Sequence, residues 1–363
     1  MKIVWVAMPL ALALVAFAAP AGAQNPDPLD IRACTAIGAD AQRLACYDHA
    51  THRDLPRDPQ RADANVPAAG IFKLDESGAR VPITQEPRET APPRSLLDSR
   101  WELASESKLG TFNLRGYQPL YVLPVFATSK QNKEPHSPNP NNTATQREQL
   151  DNVEAKFQLS LKTKIWQGVF GDAGDVWMGY TQSSRWQVYN SRQSRPFRET
   201  NYEPEVLLAF DTHYHVFGWD GRLLGIGIDH QSNGRSDPLS RSWNRVIADV
   251  GLERDGWTVM LRPWWRIHEA RRDDNNADIS NYMGRGEMQV LHVWNAQEFG
   301  VTLRHSLRSG NDSHGSARFS WSFPMAGNLR GYVEAFSGYG ESLIDYNHNA
   351  TYLGVGVSLL DWY

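Results

Sequence analysis

The sequence predicts an all-β fold: a twelve-stranded antiparallel transmembrane β-barrel carrying a short N-terminal periplasmic extension. Three observations in its 363 residues point there. Long stretches alternate apolar and polar residues at a period of two, which in a strand sends the two classes to opposite faces. Such segments number roughly twelve, and an even count of antiparallel strands is what a closed single-chain barrel needs. The connections between them alternate short and long, as periplasmic turns and outer loops do. Hydropathy by itself points elsewhere, because mean hydropathy is −0.52 and no stretch beyond the N-terminal segment approaches the ~20 apolar residues of a spanning helix. The aromatic content, 13 each of Trp, Tyr and Phe, can supply the girdles that line both interfaces of a barrel. A net charge of −4 gives no reason to expect a nucleic-acid partner.

In chain order, Lys2 precedes a nearly unbroken apolar run from Ile3 to Ala19, and Ala21-Gly22-Ala23 forms a small-residue cleavage pattern. Residues 1–23 thus read as a secretory signal, with the mature chain starting at Gln24. Residues 24–100 form the extension. Ile31, Cys34, Ile37, Leu44 and Cys46 fall at helical spacing, and His52 to Pro93 is a Pro-, Arg-, Asp- and Ala-rich linker expected to be mostly disordered. In an exported chain the two cysteines, Cys34 and Cys46, predict a local disulfide. No further Cys or clustered His accompanies them to make a metal site.

The barrel is expected over 101–363, with strands near 113–127, 154–169, 175–190, 202–217, 221–232, 242–252, 256–268, 282–294, 297–308, 314–324, 328–340 and 349–363. Ala155, Phe157, Leu159 and Leu161 oppose Lys156, Gln158, Ser160 and Lys162, and the habit recurs at Trp257, Val259, Leu261, Trp265 and Ile267. A soluble sandwich also alternates, but faces so regularly charged do not suit its dry core. Short turns are expected at 171–174, Trp219-Asp220-Gly221, Asp255-Gly256, Asn295-Ala296 and 326–328, and long loops at 131–152, 191–200, 233–241 and 270–281. A closing strand with a terminal aromatic, Tyr363, is a common mark of outer-membrane barrels.

One hairpin concentrates chemistry. Leu224, Ile226, Ile228, His230 and Ser232 share a face, and on the returning strand so do Asn244, Val246, Ala248, Val250 and Leu252. A base, a nucleophile and an amide that can orient the base therefore end apolar rows, where a polar group facing lipid calls for a function. Ser needs a base to take its proton, and the base needs a third group to hold its tautomer. A His-x-Ser pair alone carries little weight, since rim residues often bond to backbone. No Gly-x-Ser-x-Gly elbow or His-Glu-x-x-His zinc motif occurs, which removes α/β-hydrolases and zincins. Gln182 shares a face with Val176, Met178 and Tyr180; it needs a polar cover there, from its own copy in a homodimer or from headgroups at the rim.

His230-x-Ser232-Asn233-Gly234-Arg235-Ser236-Asp237-Pro238, followed by Ser240-Arg241-Ser242-Trp243-Asn244-Arg245, resembles the signature of the outer membrane phospholipase A family. The likeness extends to Ser194-x-Pro196-Phe197-Arg198-Glu199-Thr200-Asn201-Tyr202-Glu203-Pro204 and to Ser337-Gly338-Tyr339-Gly340-Glu341-Ser342-Leu343-Ile344-Asp345-Tyr346-Asn347, and covers roughly 101–363. It implies a serine carboxylic ester hydrolase acting on phospholipids at the A1 and A2 positions and on lysophospholipids. Ser232 is implied as nucleophile, His230 as general base, Asn244 as the orienting group, and the Gly234 N–H with water on a bound calcium as oxyanion hole. Calcium, one per active site, is implied to bind the Arg235 carbonyl and Ser240 hydroxyl of one subunit and Ser194 of the other, so that calcium and homodimerisation assemble the active enzyme. Residue chemistry unaided favours Asp237 as a ligand, because carboxylates are the commoner donors. The inward Lys162, Lys164, Arg262, Arg266, Arg304 and Glu334 are expected to be solvated or mutually paired. A passive channel, or a structural barrel whose long loops bind partners, is the alternative.

Overall fold

The computed structural model describes residues 34, 37–50, 72–74, 80–82 and 95–362; residues 1–23, expected to be a signal, and most of 52–93, expected to be a linker, lie outside the described residues. The chain divides into two units, Met1–Pro67 and Ala68–Tyr363. In the first, the helix Asp40–Ala50 carries Cys46, which is disulfide-bonded to Cys34.

The second unit is a closed antiparallel barrel with a two-stranded hairpin, Phe72–Leu74 with Arg80–Pro82, before it in sequence. Its strands are β1 (Leu120–Thr128), β2 (Val153–Trp166), β3 (Asp175–Trp186), β4 (Phe197–Val216), β5 (Trp219–Ser232), β6 (Ser242–Arg254), β7 (Trp257–Arg266), β8 (Gly286–Trp294), β9 (Gln297–His305), β10 (Gly315–Ala326), β11 (Leu329–Tyr339) and β12 (Asn349–Leu360). Each pairs with its sequence neighbours, and β12 returns to β1 to close the sheet. Closure leaves no lipid-facing edge with unpaired backbone groups, which is what permits a sheet to span a membrane.

Two differences from the expected elements have clear causes. The first segment is split: Leu114–Gly116 pairs with β2 alone, and β1 begins only after Pro119, which has no N–H to give to a ladder. The fourth hairpin turns at Phe217-Gly218, not at Trp219-Asp220-Gly221, which is already strand. Both turn residues have positive φ, 49° and 83°, as a two-residue primed turn demands.

The outward rows are apolar. Ile226, Ile228 and Trp265 are 54%, 59% and 60% exposed, with no other described residue covering them, so lipid is their solvent. Exposed Trp166, Phe170, Phe217 and Trp294 cluster near the short turns as one aromatic girdle.

The lumen is filled. Helix Leu96–Trp101 plugs the short-turn end, burying Leu97 and Trp101, and the Leu97 N–H donates to Glu253 Oε2 at 3.1 Å. Residues 95–100, placed in the extension on composition, thus pack as part of the barrel. At the long-loop end, residues 340–348 fold inward, with Leu343, Ile344 and Tyr346 buried. Between the two ends the charges pair. Lys156 meets Glu334 at 2.6 Å and Glu341 at 2.8 Å, Arg262 meets Asp249 at 2.6 Å, Arg198 meets Asp345 at 2.7 Å, and Arg304 meets Glu287 at 2.8 Å. Lys164 reaches Asp175 at 2.9 Å and Arg266 reaches Asp274 at 2.7 Å. Lys162 differs: among the described residues it has no carboxylate partner, and its Nζ lies 3.1 Å from the Trp101 ring centroid, a cation–π contact in place of an ion pair.

Candidate active site

Strands β5 and β6 pair with His230 directly opposite Asn244 and Ser232 opposite Ser242. Period-two alternation holds to the end of β5: Leu223 and Asp229 are buried inward, while Ile226 and Ile228 face out with His230 and Ser232 above them. On β6, buried Trp243 and Arg245 likewise leave Ser242 and Asn244 on the outer wall.

His230 Nδ1 lies 2.8 Å from Asn244 Oδ1. Since the amide oxygen can only accept, Nδ1 carries the proton and Nε2 keeps the lone pair a general base needs. Asn244 Nδ2 donates in turn to Glu269 Oε1 at 3.1 Å. The Ser232 hydroxyl and His230 Nε2 have no hydrogen-bond partner among the described residues. Two residues apart on one strand face, their Cβ atoms stand ~6.5–7 Å apart, a span that imidazole and hydroxyl close by rotation.

Behind the wall, Trp243 Nε1 donates to Gln231 Oε1 at 2.8 Å, and Arg245 pairs with Asp229 at 2.7 Å and Glu203 at 2.8 Å. The Arg245 guanidinium also lies 4.3 Å from the Trp243 ring and 5.1 Å from that of Trp264. This ion-paired, ring-packed backing holds β5 and β6 in fixed register.

The loop 233–241 is built on Asn233, which is buried. Its N–H donates to Arg241 O at 3.0 Å, its Oδ1 accepts from Arg241 N at 2.9 Å, and its Nδ2 donates to Leu239 O at 2.8 Å. Gly234 follows with φ +60°, and an added Cβ there would lie 2.6 Å from Tyr202 Cε2. Only glycine fits both the dihedral and the ring. Arg241 is pinned by the carbonyls of Pro238 (3.2 Å), Ser240 (2.7 Å) and His136 (3.3 Å). Burial lowers its guanidinium from the ordinary value, opposed by Tyr346 and by Glu199, Asp278 and Asp237.

The residues implied for calcium are spread over two loops at the long-loop end of the barrel. Arg235 and Ser240 share the 233–241 loop; Ser240 Oγ accepts from Asn275 Nδ2 at 3.2 Å, and the Arg235 carbonyl accepts no hydrogen bond among the described residues. Asp237 is engaged elsewhere, accepting from Asn142 Nδ2 at 2.7 Å. Ser194 is exposed in the β3–β4 loop with a φ of 58°. The Arg235 side chain leans toward that loop, donating to Phe197 O at 3.3 Å and lying 3.9 Å from Glu148. Burial raises the Glu148 carboxyl above its ordinary value, and Arg235 opposes it.

Gln182 falls on a shared level. The register aligns Leu159, Gln182, Tyr202, Ser232 and Ser242 across β2 to β6, so Gln182 lies two strands, or about 10 Å, from the Ser232 column. Its Oε1 accepts from the Tyr180 hydroxyl at 3.0 Å, while its Nε2 lacks a partner among the described residues.

Glu269 was not legible as part of the site, although the outward row Trp265, Ile267 reaches it one step further on. Asn275 and Asn276 accept from the Ser242 N–H at 3.0 and 3.1 Å, and no sequence signal marks loop residues of this kind.

The sequence model of the phospholipase A1 family matches residues 97–359. Phospholipase A1 of Salmonella typhimurium is 41% identical over 251 residues, covering 69% of this chain and 82% of the relative. Phospholipase A1 of Escherichia coli strain K12 is 44% identical over 209 residues, 57% of this chain and 70% of the relative. Outer membrane phospholipase A from Escherichia coli superposes with a TM-score of 0.62 at 38% identity, over 69% of this chain and 93% of its own. The Salmonella typhi outer membrane phospholipase, a dimer with bound calcium, superposes with a TM-score of 0.62 at 40% identity, over 69% of this chain and 94% of its own. Barrel, outward polar cluster and likeness agree: this chain belongs to the phospholipase A1 family and is an outer-membrane phospholipase, a hydrolase built on a twelve-stranded β-barrel.

Proposed function

We propose that the enzyme cleaves phospholipids at both the A1 and A2 positions, and lysophospholipids, by a Ser232–His230–Asn244 mechanism. It acts as a calcium-dependent homodimer with its site toward the outer leaflet. The observation that carries this reading is the 2.8 Å contact between His230 Nδ1 and Asn244 Oδ1, on the outer wall one step below Ser232 at the top of an apolar row.

In this reading His230 Nε2 takes the Ser232 proton as Oγ attacks the ester carbonyl carbon, and the Gly234 N–H faces the developing oxyanion. As the tetrahedral adduct collapses, the imidazolium returns that proton to the leaving glycerol oxygen, leaving an acyl-Ser232. Water then attacks the acyl group with His230 again as base, releasing fatty acid and restoring the hydroxyl. A neutral Asn244 fixes the ring but stabilises the imidazolium less than a carboxylate does.

The donor chemistry around the loop suits a hard cation. The Arg235 carbonyl, without a hydrogen bond among the described residues, and the Ser240 hydroxyl would hold calcium together with Ser194 of the partner subunit, one ion per site. When bound, calcium supplies positive charge that favours negative charge developing on the substrate carbonyl. Among the described residues no group of three or more His, Cys, Asp or Glu is placed to hold a metal, in keeping with neutral oxygen ligands. Calcium affinity weakens as the number of charged ligands drops, so with neutral oxygen donors a dissociation constant of about 10⁻⁴ to 10⁻³ M is expected.

Mixed micelles of a phosphatidylcholine with different acyl chains at its two positions provide the test. Calcium is expected to give release of both fatty acids, and a chelator to lower both by roughly 10²-fold or more without changing the far-UV circular dichroism. Release indifferent to the chelator would remove calcium, and release of a single acid would remove one position.

The level shared by Gln182 and Ser232 supports a dimer through β2 to β4, since a partner there lies against the catalytic strand. Gln182→Ala is expected to weaken dimerisation by ~1 kcal/mol, about fivefold, read by ultracentrifugation in detergent. The filled lumen speaks against a passive channel.

A further inference from the structure

Asn244 has a partner of its own, and we infer that this partner, Glu269, is a positioning residue that turns the site into a four-member relay of Ser232, His230, Asn244 and Glu269. The inference rests on the Ser232–His230–Asn244 reading and extends it by one residue.

Geometry carries it. Strand β7 pairs with β6 through Arg266 opposite Arg245, and the contact continues past the end of β7, where the Ile267 N–H donates to Asn244 O at 2.8 Å. Trp265 and Ile267 face outward, exposed, so parity puts Glu269 on the same outer row. His230, Asn244 and Glu269 therefore lie side by side on three adjacent segments, linked by contacts of 2.8 and 3.1 Å. Glu269 is half-buried, and Asn244 is its one hydrogen-bond or ion-pair partner among the described residues.

Chemistry makes the link more than packing. A carboxamide is nearly symmetric in shape, and Asn244 turned by 180° would point its NH₂ at His230 Nδ1. That orientation either clashes donor to donor or forces the tautomer whose Nε2 is already protonated and cannot take the Ser232 proton. A carboxylate accepts and cannot donate, so Glu269 selects the orientation that presents Oδ1 to the histidine. Its negative charge also polarises the amide, drawing Nδ2–H toward itself and making Oδ1 a stronger acceptor. An imidazolium forming during the reaction thereby meets a full negative charge one amide away, part of what a carboxylate in the place of Asn244 would supply.

The experiment is a double-mutant cycle on the refolded enzyme in phospholipid micelles with saturating calcium, comparing wild type, Glu269→Ala, Asn244→Ala and the double variant. Dimer content and barrel fold are checked for each. Glu269→Ala is expected to lower kcat roughly tenfold with KM unchanged, and to have no further effect once Asn244 is alanine. Glu269→Gln, whose amide oxygen still accepts from Asn244, is expected to recover part of the loss. The inference is overturned by wild-type kcat in Glu269→Ala, by an equal drop on both backgrounds, or by a change confined to KM. Ser232→Ala, run beside these, separates the two levels. Hydrolysis that survives it removes the underlying mechanism and the relay together, while its complete loss alongside a silent Glu269→Ala removes the relay alone.

Discussion

Ser232→Ala is expected to abolish phospholipid hydrolysis, a fall of about 10⁴-fold or more in kcat, in a protein that still folds and keeps the dimer and calcium binding proposed above. The hydroxyl makes no hydrogen bond among the described residues, so its removal disturbs no contact. The strand beneath it is held from the lumen side by Gln231 with Trp243 and by Arg245 with Asp229, and alanine suits the half-buried outer position. Activity and structure should therefore separate cleanly. Fatty-acid release is the measurement, with far-UV circular dichroism and detergent ultracentrifugation alongside. Retained release from the folded variant would exclude Ser232 as nucleophile and leave His230 and Asn244 without a substrate for their chemistry.

The second large effect is expected at Gly234. Gly234→Ala places a methyl 2.6 Å from Tyr202 Cε2 at a φ of +60°, so the backbone must move, the ring must move, or both. Holding alanine in the left-handed region costs about 1–3 kcal/mol. A backbone shift that relieves it turns the N–H away from the oxyanion position proposed above, and losing one such donor lowers kcat by roughly 10²- to 10³-fold. Stability should fall by no more than that strain of about 1–3 kcal/mol, since Asn233 fastens the loop through Arg241 and Leu239 independently of Gly234. Steady-state kinetics with urea unfolding distinguishes the two effects. Wild-type kcat in Gly234→Ala would place the oxyanion elsewhere.

What could be read from the chain follows from which interactions are periodic. Alternation is local, so the twelve strands and the outward row of Ile226, Ile228, His230 and Ser232 were legible, and register then delivered Asn244 opposite His230. The ion pairs of the lumen were foreseeable as a class, but not partner by partner: Arg198 meets Asp345 from 147 residues away, and no local pattern encodes that choice. Lys162 among aromatic rings was hidden for the same reason, because Trp101 comes from the plug helix. Phe217 at a turn with positive φ ran against the turn preferences of Gly, Asn and Asp, which moved the expected turn two residues along. Glu269 was passed over because a charge just past a strand's end looks like a solvated loop residue; only its neighbour Asn244 shows otherwise.

The plugged, charge-paired interior has a consequence for how the enzyme meets its substrate. With the lumen plugged by the described residues at both ends, a phospholipid bound for the outward site proposed above arrives sideways, by diffusing in the plane of the bilayer until its ester reaches the outer wall. Concentration at such a site is counted as mole fraction of lipid, and diluting the substrate with an inert amphiphile slows turnover even when the bulk amount is unchanged. Products leave by the same plane. The released lysolipid and fatty acid therefore stay within reach of the wall they came from, where they compete with the next substrate until the surrounding membrane disperses them.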